Sequence, residues 1–144
     1  VITMLSKVIA PYPISAPVAD IASEALAKPG LGQMNQRVLE TNTLRAHLAT
    51  WLAKQSWCSE VFSSDANFIL FRCQNNELKD FIFNCLVEND ILIRDQSKQQ
   101  NLENCLRISI GSERELSLLQ QTITQSFTNN YAAKATAETL SQEN

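Results

Sequence analysis

Two arginines, Arg94 and Arg107, have the most chemistry to offer, and each sits in a short apolar run. The first run, Ile91-Leu92-Ile93, is rich in β-branched residues, follows Asn89-Asp90, and reads as a strand. The second, Cys105 to Ile110, alternates. Leu106, Ile108 and Ile110 face one way; Cys105, Arg107 and Ser109 face the other. Pairing the two as an antiparallel hairpin puts Arg94 at the end of one strand and Arg107 early in the next. Both then lie near the connecting loop. Two planar guanidinium forks converging there suit an anion with several oxygens, a phosphate or a carboxylate. Spacing alone favours the plainer alternative, two solvated surface arginines.

Other chemistry is sparse. Cys58, Cys73, Cys85 and Cys105 form no C-x-x-C pair, and His47 is the single histidine, so zinc spacing is absent. Cys73, Cys85 and Cys105 lie in apolar runs and read as buried thiols of a reducing cytoplasm. No partner base marks any of them as a nucleophile. His47, among Arg45, Ala46 and Leu48, reads as a surface side chain.

Composition narrows the class. The 144 residues are 44% hydrophobic and 19% charged, enough for one domain with a core. A net charge of −3 leaves no basic footprint, which argues against nucleic acid as a partner. No apolar run reaches the length of a membrane span. The apolar start lacks the basic leading region and cleavage site of a signal peptide. Beginning at Val1 rather than at Met, the chain reads as a fragment.

The elements that must position the arginines follow from periodicity. Val1, Ile2, Leu5, Val8 and Ile9 keep helical spacing until Pro11-Tyr12-Pro13. Ser15 and Pro17 open a helix that ends near Ala27, before Lys28-Pro29-Gly30. A longer helix runs from about Gly32 to Lys54, with Met34, Val38, Leu44, Leu48 and Leu52 as its core stripe. Trp57 to Phe62 and Asn67 to Cys73 read as strands, the second being the clearest in the chain. Asn75 or Asn76 caps a helix through about Glu88, with Leu78, Phe81, Ile82, Cys85 and Leu86 facing the core. After the arginine hairpin, Ser112 and Glu115 form a capping box for a last helix to about Phe127, burying Leu116, Leu119, Ile123 and Phe127. Residues 129–144 lose large apolar side chains and read as a frayed extension or a flexible tail. This order predicts an α+β, two-layer unit: a mostly antiparallel sheet of three or four strands, covered by helices on one face.

Two stretches resemble a known family. Ile93-Arg94-Asp95, and after a loop Cys105-Leu106-Arg107-Ile108-Ser109-Ile110-Gly111-Ser112, are similar to the C-terminal end of histidinol-phosphate aminotransferase. That family comprises fold-type I enzymes dependent on pyridoxal phosphate. Lys7 to Ala22, K-V-I-A-P-Y-P-I-S-A-P-V-A-D-I-A, resembles the family's passage from the large cofactor domain into the small one. Asn67-Phe68-Ile69-Leu70 resembles a further segment of the small domain. The resemblance implies three parts: an interdomain segment and connecting helix over 1–28, the small domain over 29–128, and the tail.

The resemblance also assigns roles. Arg107 matches the family's substrate-anion arginine, which grips the α-carboxylate of glutamate in one half-reaction and the phosphate of histidinol phosphate in the other. Arg94 matches a second arginine that helps hold the phosphate. Asn67 is a further candidate near the site, although an asparagine opening a strand is often a local turn-maker. Lys7 follows a serine, as the family's cofactor lysine does. The residues after it, Val8-Ile9-Ala10-Pro11, match the passage beyond that motif, so it is given no catalytic role. The Schiff-base lysine is expected upstream of residue 1, with no catalytic residue in this segment and no cofactor bound to it alone. The implied reaction converts L-histidinol phosphate and 2-oxoglutarate to imidazole acetol phosphate and L-glutamate, and back, in histidine biosynthesis. The full enzyme is expected to be cytoplasmic and homodimeric. Related phosphothreonine decarboxylases and aromatic aminotransferases share the scaffold. From another class, a freestanding α+β binding module without chemistry of its own remains open.

Overall fold

The computed structural model describes residues 2–8 and 14–142, with side chains described up to residue 130. Among the described residues, five helices and four strands follow in this order: α1 (Ile2–Val8), α2 (Ala16–Ala25), α3 (Lys28–Ala53), β1 (Cys58–Val61), β2 (Phe68–Cys73), α4 (Asn76–Glu88), β3 (Arg94–Asp95), β4 (Cys105–Ser109) and α5 (Glu113–Gln142). The chain divides within α3 into two units, Val1–Leu39 and Glu40–Asn144.

In the first unit, α1 and α2 carry exposed apolar side chains, among them Ile2, Val8, Val18 and Ile21. The expected stop at Pro11-Tyr12-Pro13 lies outside the described residues. Ser15 stands at the N-cap of α2 with Pro17 in the first turn, although its hydroxyl makes no capping bond. Lys28-Pro29-Gly30 does not separate the helices as expected but forms the first turn of α3. Proline is tolerated there because its missing N–H would have had no intrahelical partner. Gly30 is required by close approach: a Cβ there would run into the Ala25 carbonyl.

The second unit holds the sheet, in the order β1-β2-β4-β3, with every neighbouring pair antiparallel. The expected α+β architecture is present. Residues of β2 alternate between half-buried (Phe68, Leu70, Arg72) and buried (Ile69, Phe71, Cys73). The buried set, with Leu106 and Ile108 of β4, packs under helices with Ile82 and Leu86 of α4, Leu119 and Ile123 of α5, and Leu48 and Leu52 of α3. The upper part of the expected α3 stripe is not core. Met34 and Val38 are half exposed, while Leu44 is partly buried. The stripe is buried only where α3 runs alongside the apolar elements of its own unit. Trp57 anchors the cluster, stacked on Phe127 at 5.9 Å and edge-on to Phe71 and Trp51 at the same separation.

Local capping explains the helix boundaries. Asn75 caps α4 by accepting from the Leu78 amide at 2.9 Å. At its other end, Asp90 adopts φ 60° and the Ile91 N–H donates to the Leu86 carbonyl. That bond corrects the expected first strand of the hairpin. Ile91's amide closes the helix rather than joining the sheet, so Ile91–Ile93 runs unpaired and β3 begins at Arg94. The gap it leaves is a groove of about 440 Å³, lined in part by Ile93, Ile108, Leu116 and Leu119. The capping box of α5 is formed: the Ser112 amide and hydroxyl both donate to Glu115 Oε2 at 2.7 Å, and the Glu115 amide donates back at 3.3 Å. The helix continues past the expected end at Phe127 to Gln142. The expectation of a loose tail over 129–144 falls almost wholly on residues whose side chains lie outside the description.

Cys73, Cys85 and Cys105 are buried free thiols, and Cys58 is half-buried. Burial pushes the Cys73 thiol up to about 12. Alkylation of the native protein with iodoacetamide near pH 8 should therefore label Cys58 first and Cys73 only on unfolding, as peptide mass mapping would show. Phe71→Ala should cost about 3–5 kcal/mol, read from the urea midpoint, because a fully buried ring is removed from the centre of the cluster.

Candidate functional site

The register of β4 decides what the uncovered face of the sheet presents. Arg94 of β3 is the direct partner of Arg107 of β4, and Leu70 of β2 is the partner of Arg107 on the other side. Residues directly opposite in an antiparallel pair project from the same face. Arg94 and Arg107 therefore stand side by side on the face away from the helices, with Phe68, Leu70, Arg72 and Ser109. The sequence placed both arginines near the loop; the structure opposes them residue for residue.

Three arginines share this face, and they differ in commitment. Arg72 donates to the carbonyls of Glu103 at 2.5 Å and Asn101 at 3.1 Å, pairs with Glu60 at 3.4 Å, and lies over the Phe62 ring. It holds down the loop between β3 and β4, where Asn101 and Asn104 take left-handed conformations that asparagine tolerates. Cys105, opposite Arg72, is buried beneath that loop. Arg94 and Arg107 have no hydrogen bond or ion pair with any described residue. Arg107 instead lies over the Phe68 ring, its guanidinium carbon 5.0 Å from the centroid. Its Nε is buried and has no partner. An orphaned buried donor costs about 1–3 kcal/mol, and a side-on carboxylate or phosphate is the acceptor that guanidinium geometry fits.

Asn67 is exposed and precedes β2. Its carbonyl accepts from the Ile110 amide at 2.8 Å. Strand alternation gives it the phase of Ile69, not that of Phe68 beneath Arg107, so the pairing register does not bring it to the arginines. His47 and Lys7 are exposed, Lys7 on α1 in the other unit.

Sequence reasoning missed two features. One is the Phe68 ring under Arg107, which required the β2–β4 register. The other is Lys79, buried on α4, whose Nζ meets Asp95 at 2.9 Å and Asp80 at 2.7 Å. Burial opposes the charge on Lys79, but the two carboxylates outweigh it and raise its pKa. Burial likewise works against the Asp95 carboxylate, but Ser97 and Lys79 lower its pKa below the ordinary range. Asp95 follows Arg94 immediately, yet points to the helix side. The only signal in the sequence was a lysine on the apolar face of an amphipathic helix.

None of the described lysines fits a Schiff base to pyridoxal phosphate. Lys7, Lys28, Lys54 and Lys98 are exposed, and Lys79 is held protonated by its carboxylates. Among the described residues no helix is long and apolar enough to cross a membrane, and no cluster of His, Cys, Asp or Glu could hold a metal.

A helix-backed antiparallel sheet of this kind matches the small domain of fold-type I aminotransferases. Residues 1–123 match the aminotransferase class I and II family, and the chain belongs to that family. Over 121 residues it is 64% identical to the histidinol-phosphate aminotransferase of Colwellia psychrerythraea, covering 84% of this chain and 33% of that protein. It is 46% identical over 115 residues to the enzyme of that name from Yersinia pestis, covering 80% of this chain and 29% of the relative. The chain thus spans about a third of the length of these curated relatives. Two solved structures share the fold. The histidinol-phosphate aminotransferase of Clostridium acetobutylicum has a TM-score of 0.60 at 24% identity, over 69% of this chain and 30% of that one. A decarboxylase from Sulfurospirillum multivorans has a TM-score of 0.69 at 16% identity, over 85% of this chain and 35% of that one.

The ionic tie beneath Arg94 sets a pH window. Asp95's folded pKa lies below its ordinary 3.8, so its stabilisation is complete above that pH and is lost as pH falls through the lowered value. Lys79's lies above 10.5, so its contribution is complete below that pH and is lost as pH rises through the raised value. The stability difference between wild type and Asp95→Ala, from denaturant titrations, should be flat between these limits and shrink in acid.

Proposed function

We propose that this chain is the C-terminal small domain of a pyridoxal-phosphate-dependent transaminase. The complete enzyme moves an amino group between L-glutamate and imidazole acetol phosphate, giving 2-oxoglutarate and L-histidinol phosphate, in the biosynthesis of histidine. One observation carries the reading: Arg94 and Arg107 are opposed on the open face of the sheet and engage no described acid. The names of the relatives at 64% and 46% identity support the choice of substrate.

In this reading Arg107 grips the α-carboxylate of glutamate in one half-reaction and the phosphate of histidinol phosphate in the other. The Phe68 ring beneath it limits how its guanidinium plane can tilt. Arg94 adds a second fork for the phosphate, whose three charged oxygens can occupy both. Asn67, which the strand register does not bring to the arginines, has no assigned contact in this reading. The chain's own contribution is binding and orientation, and well-oriented intramolecular models put such positioning at about 7 kcal/mol or more of a barrier. The cofactor and the lysine that holds it belong to the part of the enzyme outside this chain. The full enzyme is a cytoplasmic homodimer that needs neither nucleic acid nor membrane.

Arg107→Ala in the complete enzyme should lower kcat/KM on the order of 100-fold with both glutamate and histidinol phosphate, since hydrogen bonds to charged groups contribute about 1.5–3 kcal/mol each. Arg107→Lys should recover only part of this, because it keeps the charge and loses the fork. A loss with glutamate alone defeats the shared site. The 144-residue chain by itself should show neither transaminase activity nor visible absorbance after incubation with pyridoxal phosphate; finding both would place the cofactor site here after all.

A further inference from the structure

Arg94 is held to the sheet by little. β3 is two residues long, the residues before it run unpaired, and a single further backbone bond, from the Gln96 N–H to the Cys105 carbonyl at 3.0 Å, follows it before the loop turns away. Two-residue pairing at a sheet edge frays readily. The neighbouring residue supplies a second hold. Asp95 points to the opposite face, where Oδ2 accepts from Lys79 Nζ at 2.9 Å and Oδ1 accepts from the Ser97 amide at 2.8 Å. Lys79 is rooted in α4, with its side chain only 6% exposed. One carboxylate thus ties the strand to the covering helix and to the loop behind it.

We propose that Lys79 and Asp95 are positioning residues for anion binding: their ion pair fixes β3 so that Arg94 stands opposite Arg107. Neither touches the substrate. The inference rests on reading Arg94 and Arg107 as the anion site, and it adds residues that act on that site from the other side of the sheet. Alternation makes this possible, because adjacent strand residues face opposite ways. A tether at Asp95 constrains the backbone of Arg94 without occupying the space where the anion binds.

The pair also suits the task better than an apolar contact would. Lys79 also meets Asp80 at 2.7 Å, and the charge-assisted hydrogen bond it donates to Asp95 is short and directional, which holds that carboxylate to a narrow range of positions. The hydrogen bond from the Ser97 amide fixes the orientation of the same carboxylate. Displacing Arg94 by a fraction of a residue would break both contacts.

The test is a mutant cycle in the complete enzyme, with L-histidinol phosphate and L-glutamate as the two amino donors. Asp95→Asn keeps the shape and the Ser97 contact, and Lys79 keeps Asp80 2.7 Å away. The expected result is a KM for histidinol phosphate raised about 10-fold, short of the roughly 100-fold that a 1 Å misplacement can cost. Both kcat and the glutamate KM should stay within about 2-fold, well inside the tenfold that 1.4 kcal/mol represents. Lys79→Met should show the same selective rise, and Lys79→Arg should restore most of it. In an Arg94→Ala background, Asp95→Asn should add nothing, because it acts through Arg94. Should Asp95→Asn not accumulate as folded protein, Asp95→Glu carries the same cycle, keeping the charge and lengthening the tether. An Asp95 variant with wild-type KM while Arg94→Ala raises it overturns the proposal, as does an equal further rise in the Arg94→Ala background. No effect of Arg94→Ala itself removes the anion-site reading first, and the two failures are thereby distinct.

Discussion

Like charges directly opposite each other in an antiparallel sheet repel, and here the β3–β4 register sets one guanidinium against another. Among the described residues no carboxylate relieves that repulsion, and Arg107 has only the Phe68 ring against it. Arg72, one pair further along the same face, shows what relief looks like: two carbonyls and two carboxylates surround it. The contrast between a satisfied arginine and two unsatisfied ones on one surface gives the face its character. A protein that only needed a solvated sheet would have little reason to oppose the two.

The remainder of the unit can be understood as what it takes to keep that register. Slipping β4 by one residue would turn Arg107 into the core and Leu106 and Ile108 out into water. Both are exposed by 2% or less, so a slip would forfeit most of their transfer free energy, about 1.5–3 kcal/mol apiece. The apolar side of β4 therefore holds the polar side in place. Trp57, Phe71 and Phe127 fill the space under the helices and resist any shear of the sheet. The capping box at Ser112 fixes the start of α5 directly after β4. From the other end, Arg72 pins the loop that joins the two strands.

Much of this was legible before any coordinates. Period-two alternation marked β2 and β4, and the capping residues Asn75 and Ser112 marked the starts of α4 and α5. The motif around Arg94 and Arg107 pointed to the candidate site. What escaped depends on contacts between distant segments. Ile91-Leu92-Ile93 has strand composition, but the first of its amides is claimed by Leu86, a bond set by how the helix ends rather than by propensity. Pro29 and Gly30 were read as breakers although the first turn of a helix accepts both. Met34 and Val38 keep core spacing without being buried in the unit described. The tie from Lys79 to Asp95 joins residues sixteen apart through the packing of α4 on the sheet, and periodicity carries no trace of it.

The open face also limits what the arginine pair can do unaided. Arg94 is exposed and Arg107 only half-buried, so water screens both. At 4 Å, two unit charges interact by about 1 kcal/mol in bulk water and by about 4 kcal/mol where the effective dielectric constant falls to roughly 20. An anion resting on this surface alone would be oriented by two forks but weakly held. Covering the face would exclude water, lower the dielectric constant and convert the same geometry into binding free energy. In the proposed reading the pair supplies the charge and its direction, and the strength of the grip rises with whatever excludes water from the face.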